Sequence, residues 1–142
     1  MAKSHLVILK KPYLAAILAG RKRVESRFTR TRRAFVGRVE PGDTLFLKQS
    51  SGPVCVTAQV AAVKNYEGLT PEKIFELKQK YNAEILGDSA YWQSKACCRY
   101  GMLVWLRGVR ATEPVWIDKK DWRAWVVLDD EKDFGLLSAP WQ

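Results

Sequence analysis

Two turn signals enclose one short segment, and they restrict what this chain can fold into more than any other feature does. Glu40-Pro-Gly-Asp43 precedes the segment and Ser50-Ser-Gly-Pro53 follows it; both contain the residue types that reverse a chain. Residues 44–49 between them alternate in part, and the next run, residues 54–63, is rich in β-branched side chains. The pattern predicts two strands joined as an antiparallel hairpin.

Further strands and helices are predicted on both sides of this hairpin. Apolar runs indicate short strands at residues 6–9, 24–28 and 100–106. Helix start and stop signals predict three helices: one from Pro12 to Gly20, one capped by Thr70 with Pro71 at its first position, and a shorter one capped by Asp88.

This mixture of elements predicts a single α+β domain over residues 1–142, built as a small mixed β-barrel. Its core is expected to span about residues 5–110, followed by a Trp- and acid-rich C-terminal extension over about residues 111–142. In that extension Trp122 and Trp125 are three residues apart, a spacing typical of one helical turn.

The net charge of +9 lies entirely in the first third of the chain. Residues 1–48 contain twelve Lys or Arg and three Asp or Glu, whereas residues 49–142 contain twelve of each kind. Residues 21–38 hold eight basic residues, seven of them arginine, against the one acid Glu25. A charge run is usually a solvated surface, but this one has no acidic counterweight and arginine binds phosphate through a planar fork. We therefore expect a polyanionic partner, most simply nucleic acid.

Lys22, Glu25 and Arg27 form the candidate centre of the site. On a strand over residues 24–28, Glu25 and Arg27 project from the same face, and Lys22 follows the helix-ending glycine near the mouth of that face. Close ionisable groups shift one another's pKa and are common at functional sites, although many such ion pairs are only weakly stabilising. Lys22 is predicted to act either as base or nucleophile, or as a fixed positive charge that meets a phosphate.

Other basic and aromatic residues are candidate ligand contacts around this centre. Lys48 is placed on a strand where it could face Arg27. Tyr91 combines with neighbouring cations in a cluster that can hold an unstacked base, although packing of its helix explains the tyrosine as well. The full set of predicted RNA- or substrate-binding residues is Arg27, Lys48, Arg30, Arg32, Arg33, Tyr91, Lys95 and Arg99.

Several other classes of site are not expected. The three cysteines show no Cys-x-x-Cys spacing and the chain has one histidine, His5, so we predict no metal and no cofactor. No Gly-rich phosphate loop or nucleophile elbow is present. No apolar run reaches the length of a membrane span, the basic run lacks the apolar face of an interfacial helix, and the N-terminal apolar stretch is too short for a secretion signal. A cytoplasmic protein without membrane contact is the expectation.

Residues 9–27 resemble the start of an ASCH domain. The family's motif is Gly-x-Lys-x-x-Glu-x-Arg, which Gly20, Lys22, Glu25 and Arg27 match, and the Pro-Gly-Asp turn at 41–43 is similar too. The likeness covers about residues 5–110. It implies a PUA-like β-barrel with helices over a cleft that the motif residues line, and binding of RNA, which some members also cut.

The resemblance also extends to small bacterial N4-acetylcytidine amidohydrolases, which use a lysine, a threonine and a glutamate. Their lysine corresponds to Lys22, but their threonine corresponds to Glu25, so this chain departs from their pattern. Their glutamate has no motif match here, and the candidates by region are Glu67, Glu72, Glu76 and Glu84.

Three functional hypotheses follow. The first is a module that binds RNA or a modified nucleoside in a basic cleft. The second is an amidohydrolase for N4-acylated cytidine, with Lys22 as nucleophile or base and Glu25 as proton carrier. The third is a ribonuclease in which Lys22 stabilises developing phosphate charge; it ranks last because the chain has no histidine pair for proton transfer.

Overall fold

The computed structural model of the chain describes residues 2–117 and 124–128. Six strands and three helices occur in that part of the chain: β1 (Ser4–Leu9), α1 (Lys11–Leu18), β2 (Val24–Thr29), β3 (Thr44–Gln49), β4 (Val54–Glu67), α2 (Pro71–Ile85), α3 (Ser89–Lys95), β5 (Tyr100–Val115) and β6 (Trp125–Val127). All six strands belong to one sheet in the order β2-β5-β4-β3-β1-β6. β1 runs parallel to β3, and the other neighbouring strands are antiparallel. The predicted hairpin of β3 and β4 is confirmed.

The long central strands β4 and β5 curl this sheet into a half-barrel. They have 14 and 16 residues and pair over nearly all of that length, with register shifts between Val54 and Val56, Thr57 and Gln59, and Val60 and Ala62. Such bulges bend a strand and increase its twist. Both strands extend well beyond the predicted 54–63 and 100–106, because pairing resumes after each irregularity.

Helices pack on both faces of the sheet. Met102 and Val104 of β5 share a buried cluster with Leu14 and Ile17 of α1. The intervening Leu103 points to the other face, where it packs with side chains of α2 and α3. The predicted α+β class is confirmed, and the predicted small mixed β-barrel takes the form of a curled half-barrel sheet with helices on both faces.

Local signals set the helix boundaries as predicted. The Thr70 hydroxyl accepts a hydrogen bond from the Lys73 N–H at 3.3 Å, and Asp88 accepts one from the Tyr91 N–H at 2.7 Å. The prediction for Trp122 and Trp125 is wrong for Trp125, which begins strand β6 beside β1 instead of a helical turn; Trp122 lies outside the described residues. A membrane-crossing helix is not found in the described part, where every helix is too short or too polar.

Candidate functional site

A cleft of about 1240 Å³ lies where the two edges of the curled sheet approach each other. The end of β1 and Trp125 of β6 line one side, and residues 25–29 of β2 line the other. Helices α1 and α3 contribute Tyr13 and Tyr91, and residues 32–35 of the loop after β2 complete the lining. The edge strands β2 and β6 share no ladder, so the sheet leaves its open seam at this cleft.

Lys22, Glu25 and Arg27 converge at the base of the cleft, as the sequence predicts. Lys22 Nζ lies 3.5 Å from Glu25 Oε1, and Arg27 Nη2 donates a hydrogen bond to Glu25 Oε2 at 2.8 Å. The Ser26 N–H also donates to Glu25 Oε1, at 3.1 Å. Lys22 and Glu25 are buried, and the side chain of Arg27 is 17% exposed. Glu25 is therefore a buried carboxylate held by two cations and a backbone donor.

The turn after α1 delivers Lys22 to this position. Gly20 has a φ of +79°, which permits a left-handed turn that closes the helix. The N–H groups of Arg21 and Lys22 then both donate to the Ala16 carbonyl, at 3.0 and 3.1 Å. The chain consequently folds back beside β2 and the Lys22 side chain turns inward.

All three donor directions of the Lys22 ammonium have partners within the protein. Nζ donates to the carbonyl oxygens of Val24 at 2.9 Å and Ile85 at 2.6 Å, and its third direction is taken by Glu25. It also lies 5.3 Å from the ring centre of Tyr13. Since an ammonium has three donors, Lys22 contacts a ligand only when one of these partners is exchanged.

Burial and charge oppose each other within this centre. Burial lowers the pKa of Lys22 below its ordinary value, although Glu25 opposes this shift. Burial would raise the pKa of Glu25, but the charges of Arg27 and Lys22 and the hydrogen bonds from Arg27 and Ser26 hold that pKa below its ordinary value. Glu25 is thus ionised at neutral pH and acts as an acceptor.

Arg27 links the centre to two neighbouring elements. Its Nη2 also donates to the Ile8 carbonyl of β1 at 3.1 Å, so it connects β2 with β1 across the cleft. Its guanidinium carbon lies 5.5 Å from the ring centre of Trp125. Its Nε is buried and has no hydrogen-bond partner among the described residues.

Ser26 and Tyr91 add a pair of hydroxyl groups to the cleft wall. Their oxygens are 2.6 Å apart. Burial raises the pKa of Tyr91, so its phenol stays neutral. Gly87 permits this arrangement, since a Cβ there would lie 2.6 Å from Tyr91 Cδ2. Lys95 Nζ lies 5.5 Å from the ring centre of Tyr91, at the rim.

The loop after β2 supplies exposed cations. Arg32 and Arg33 line the cleft and are exposed. Arg32 Nη1 bonds to Glu67 Oε1 at 2.6 Å, and both side chains of this pair are more than half exposed. Phe35 lies against Trp125, with ring centres 5.6 Å apart.

Three of the predicted ligand contacts are not among the lining residues. Arg30 and Arg99 are exposed outside the lining. Lys48 alternates with Leu47 on β3 and donates to the Gln49 carbonyl at 3.2 Å; Leu47 packs in the cluster that contains Trp125, which places Lys48 on the opposite face. The glutamate candidates Glu67, Glu72, Glu76 and Glu84 also lie outside the lining. Within residues 2–117 and 124–128, no group of three or more His, Cys, Asp or Glu is arranged to hold a metal ion.

Sequence reasoning missed Tyr13, Ser26 and Trp125 as parts of the site. Ser26 lies inside the motif, but its contact with Tyr91 spans 65 positions. Trp125 reaches the cleft only because β6 pairs with β1. Tyr13 was detectable in principle, since the helix that precedes Lys22 must pack near it.

Comparisons with known proteins place the chain in a family. The model of the ASCH domain family matches residues 7–123. The structure is similar to the crystal structure of ASCH from Zymomonas mobilis, with a TM-score of 0.71 and 16% identity over 96% of this chain and 94% of that one. Serine-to-alanine and tyrosine-to-phenylalanine mutants of that protein match with the same score and identity, over 96% of this chain and 95% and 97% of theirs. No curated protein matches the chain. At this identity the structures support the fold, and the family match confirms the resemblance found in the sequence.

Proposed function

Since this chain belongs to the ASCH domain family, we propose that its basic cleft binds single-stranded RNA. The family has a PUA-like fold and is linked to RNA binding. The observation that carries the proposal is the positive charge of the cleft lining. Among the described residues, six cationic and two acidic side chains line it. The cations are Lys10, Lys22, Arg27, Arg32, Arg33 and Lys95, and the acids are Glu25 and Asp88.

The cleft combines two kinds of RNA contact. Its exposed cations suit phosphates, whose neutralisation releases counterions. Its aromatic side chains suit stacking with unpaired bases, which is worth about 1–3 kcal/mol per base. The partly exposed aromatic residues of the lining are Tyr13, Phe35 and Tyr91, whereas Phe28 and Trp125 also line the cleft but are buried.

The size of the cleft favours a strand over an isolated nucleoside. Sites for small molecules usually enclose about 300–1,000 Å³, and this cleft exceeds that range at about 1240 Å³. A modified nucleoside within such a strand fits the same space.

Two matched double variants test the proposal. Arg32→Glu with Arg33→Glu reverses two lining cations, and Arg21→Glu with Arg23→Glu reverses two exposed cations of the same basic run outside the lining. Both change the net charge equally. By fluorescence anisotropy with a short labelled single-stranded RNA, we expect the first pair to weaken binding about tenfold or more and the second about threefold or less. Equal losses, or wild-type binding that ignores salt, would contradict the proposal.

Hydrolysis of N4-acylated cytidine is a second candidate, favoured by the buried Lys22 beside an ionised Glu25 in the cleft. Lys22 would serve as nucleophile or base and Glu25 as proton carrier, and water would cleave the amide to give cytidine and the carboxylic acid. The occupied donors of Lys22 make this candidate weaker than binding.

Release of acetate from N4-acetylcytidine tests this candidate. Lys22→Met should abolish turnover, while Lys11→Met, at an exposed position outside the lining, should preserve it. A wild-type protein without turnover, or turnover that survives in a folded Lys22→Met variant, would exclude it. Lys22-dependent cleavage of the RNA probe would instead favour the ribonuclease.

A further inference from the structure

A buried chain of hydrogen bonds connects the Pro-Gly-Asp turn to the cleft. Asp43 Oδ2 lies 2.8 Å from His5 Nε2, and Trp125 Nε1 donates to His5 Nδ1 at 3.2 Å. All three residues are buried, with exposures of 0%, 0% and 3% for Asp43, His5 and Trp125. Because these residues come from the turn, β1 and β6, the chain ties three elements together.

The donors and acceptors fix the state of the histidine. The indole N–H of Trp125 can only donate, so Nδ1 of His5 must be the acceptor and carry no proton. Nε2 therefore carries the proton and donates it to the Asp43 carboxylate. The carboxylate also accepts the N–H groups of Lys3 at 2.9 Å and Glu40 at 3.0 Å, which fix it in place.

Trp125 connects this chain of hydrogen bonds to the cleft. Its ring contacts Arg27 on one strand edge and Phe35 in the basic loop, at 5.5 and 5.6 Å between centres. Arg27 holds Glu25, and Ala34 alone separates Phe35 from the lining residue Arg33. Rotation of the indole would disturb both contacts together.

We propose that Trp125 is a positioning residue of the cleft, and that His5 orients its indole so that Arg27 and the basic loop face the ligand. This role rests on the proposed binding of RNA. It assigns a task to the His5–Asp43 pair, neither member of which lines the cleft in the described part of the chain.

Proton binding by His5 would break the hydrogen bond that orients the Trp125 indole. A protonated Nδ1 presents a second N–H to the N–H of Trp125 and removes the acceptor. The charged groups that face the imidazole are Asp43, which favours the cation, and Lys3 and Arg38, which oppose it. RNA binding should therefore weaken as His5 gains its proton, whereas added positive charge alone would strengthen it.

Two substitutions at His5 separate orientation from simple stability. His5→Asn keeps an amide oxygen near the Nδ1 position, where it accepts from Trp125, and His5→Gln keeps an amide N–H near Nε2, where it donates to Asp43. With the short labelled RNA, we expect His5→Asn to bind within about twofold of wild type. We expect His5→Gln to bind about three- to tenfold more weakly, the equivalent of one hydrogen bond.

The pH profile and the NMR spectrum of the same proteins complete the test. Wild-type affinity should fall as His5 gains its proton, and His5→Asn should lose this dependence. Since the chain has one histidine, its ring nitrogens give an unambiguous ¹H–¹⁵N spectrum, which should show the Nε2–H tautomer at pH 7.

Failure of this proposal is distinguishable from failure of the proposed function. Absence of RNA binding by the wild-type protein would overturn both. RNA binding by wild type with equal affinities of the two folded variants, or with the Nδ1–H tautomer in the spectrum, would overturn the positioning role alone.

Discussion

The basic run of residues 21–38 contains two regions with opposite physical character. Lys22 and Arg27 are held at the base of the cleft by Glu25 and by backbone carbonyls. Arg32 and Arg33 stand exposed at the rim, and Arg32 forms a solvent-exposed pair with Glu67. Similar residue types therefore serve different purposes. The buried region shapes the cleft, whereas the exposed region provides charge that a phosphate can neutralise.

This contrast shows why a count of positive charges overstates the cations available to a ligand. Desolvated ion pairs depend on every member, because a lone charge left in the interior is costly. Exposed pairs are worth about 0–1 kcal/mol and exchange partners freely. Substitutions in the first region should thus change stability most, and substitutions in the second should change binding most.

The largest expected effect is the loss of the buried carboxylate. Glu25→Gln leaves Lys22 and Arg27 without their counter-charge and should reduce the free energy of unfolding by about 3–5 kcal/mol. Urea denaturation followed by circular dichroism measures it. Glu67→Gln, which breaks the exposed pair with Arg32, is the matched control and should cost about 1 kcal/mol or less. Similar losses from the two substitutions would refute the distinction between the regions.

Acid should lower the free energy of unfolding in steps, as the buried titratable groups gain protons in a defined order. Burial lowers the pKa of His5 from its ordinary value of 6.5, so below that pH the unfolded chain takes up a proton that the folded chain does not, and stability falls. The pKa values of Glu25 and Asp43 are also lowered, from 4.5 and 3.8, so their stabilising contribution is lost as the pH falls below those values towards the folded-state pKa.

Urea midpoints measured between about pH 2.5 and 7.5 test this order. In His5→Asn, stability should stay level until the carboxylates begin to titrate, whereas in wild type it should decline from about pH 6.5. A wild-type protein whose stability is constant between about pH 4.5 and 6.5 would contradict the assignment of a neutral His5.

Local patterns predicted the parts of the fold and site that depend on near neighbours. The shared face of Glu25 and Arg27 follows from strand alternation over two residues. The cap at Thr70 follows from side-chain chemistry within one helical turn. The family motif placed Lys22 beside this face, although its inward turn depends on Gly20 and the Ala16 carbonyl.

The remaining features depend on contacts between distant residues. His5 and Asp43 meet because β1 and β3 run parallel in one register, which no local pattern encodes. Trp125 reaches the cleft because β6 pairs with β1, and its hydrogen bond to His5 spans 120 positions. Lys48 failed to reach the lining because the face to which it points depends on which side of the sheet covers the core.

The Ser26–Tyr91 hydroxyl pair is partly buried, so its loss should change stability by an amount between those expected for the buried and the exposed region. Tyr91→Phe keeps the ring and removes the hydrogen bond to Ser26, so we expect a loss of about 0.5–1.5 kcal/mol in unfolding free energy. In a Ser26→Ala background the same change should cost clearly less, because the partner is already gone. Equal costs in the two backgrounds, measured by urea denaturation, would show that the two hydroxyls are not coupled.

The smallest expected effect concerns the exposed pair itself. Glu67→Gln frees Arg32 from its partner, so RNA affinity should rise about twofold in fluorescence anisotropy at low salt and return to the wild-type value at high salt. Glu72→Gln removes an equal charge from α2 outside the cleft lining and should leave affinity nearly unchanged. A loss of affinity in Glu67→Gln would place Glu67 among the groups that support binding.

Photo-crosslinking tests the central claim most directly. A single-stranded RNA that contains 4-thiouridine is bound, irradiated and digested, and the linked peptides are identified by mass spectrometry. The account predicts crosslinks to the cleft, above all at Tyr91 on α3 and Phe35 in the basic loop. Crosslinks that fall instead around Gln59 and Arg110, which line a separate hollow of the described structure, would contradict it.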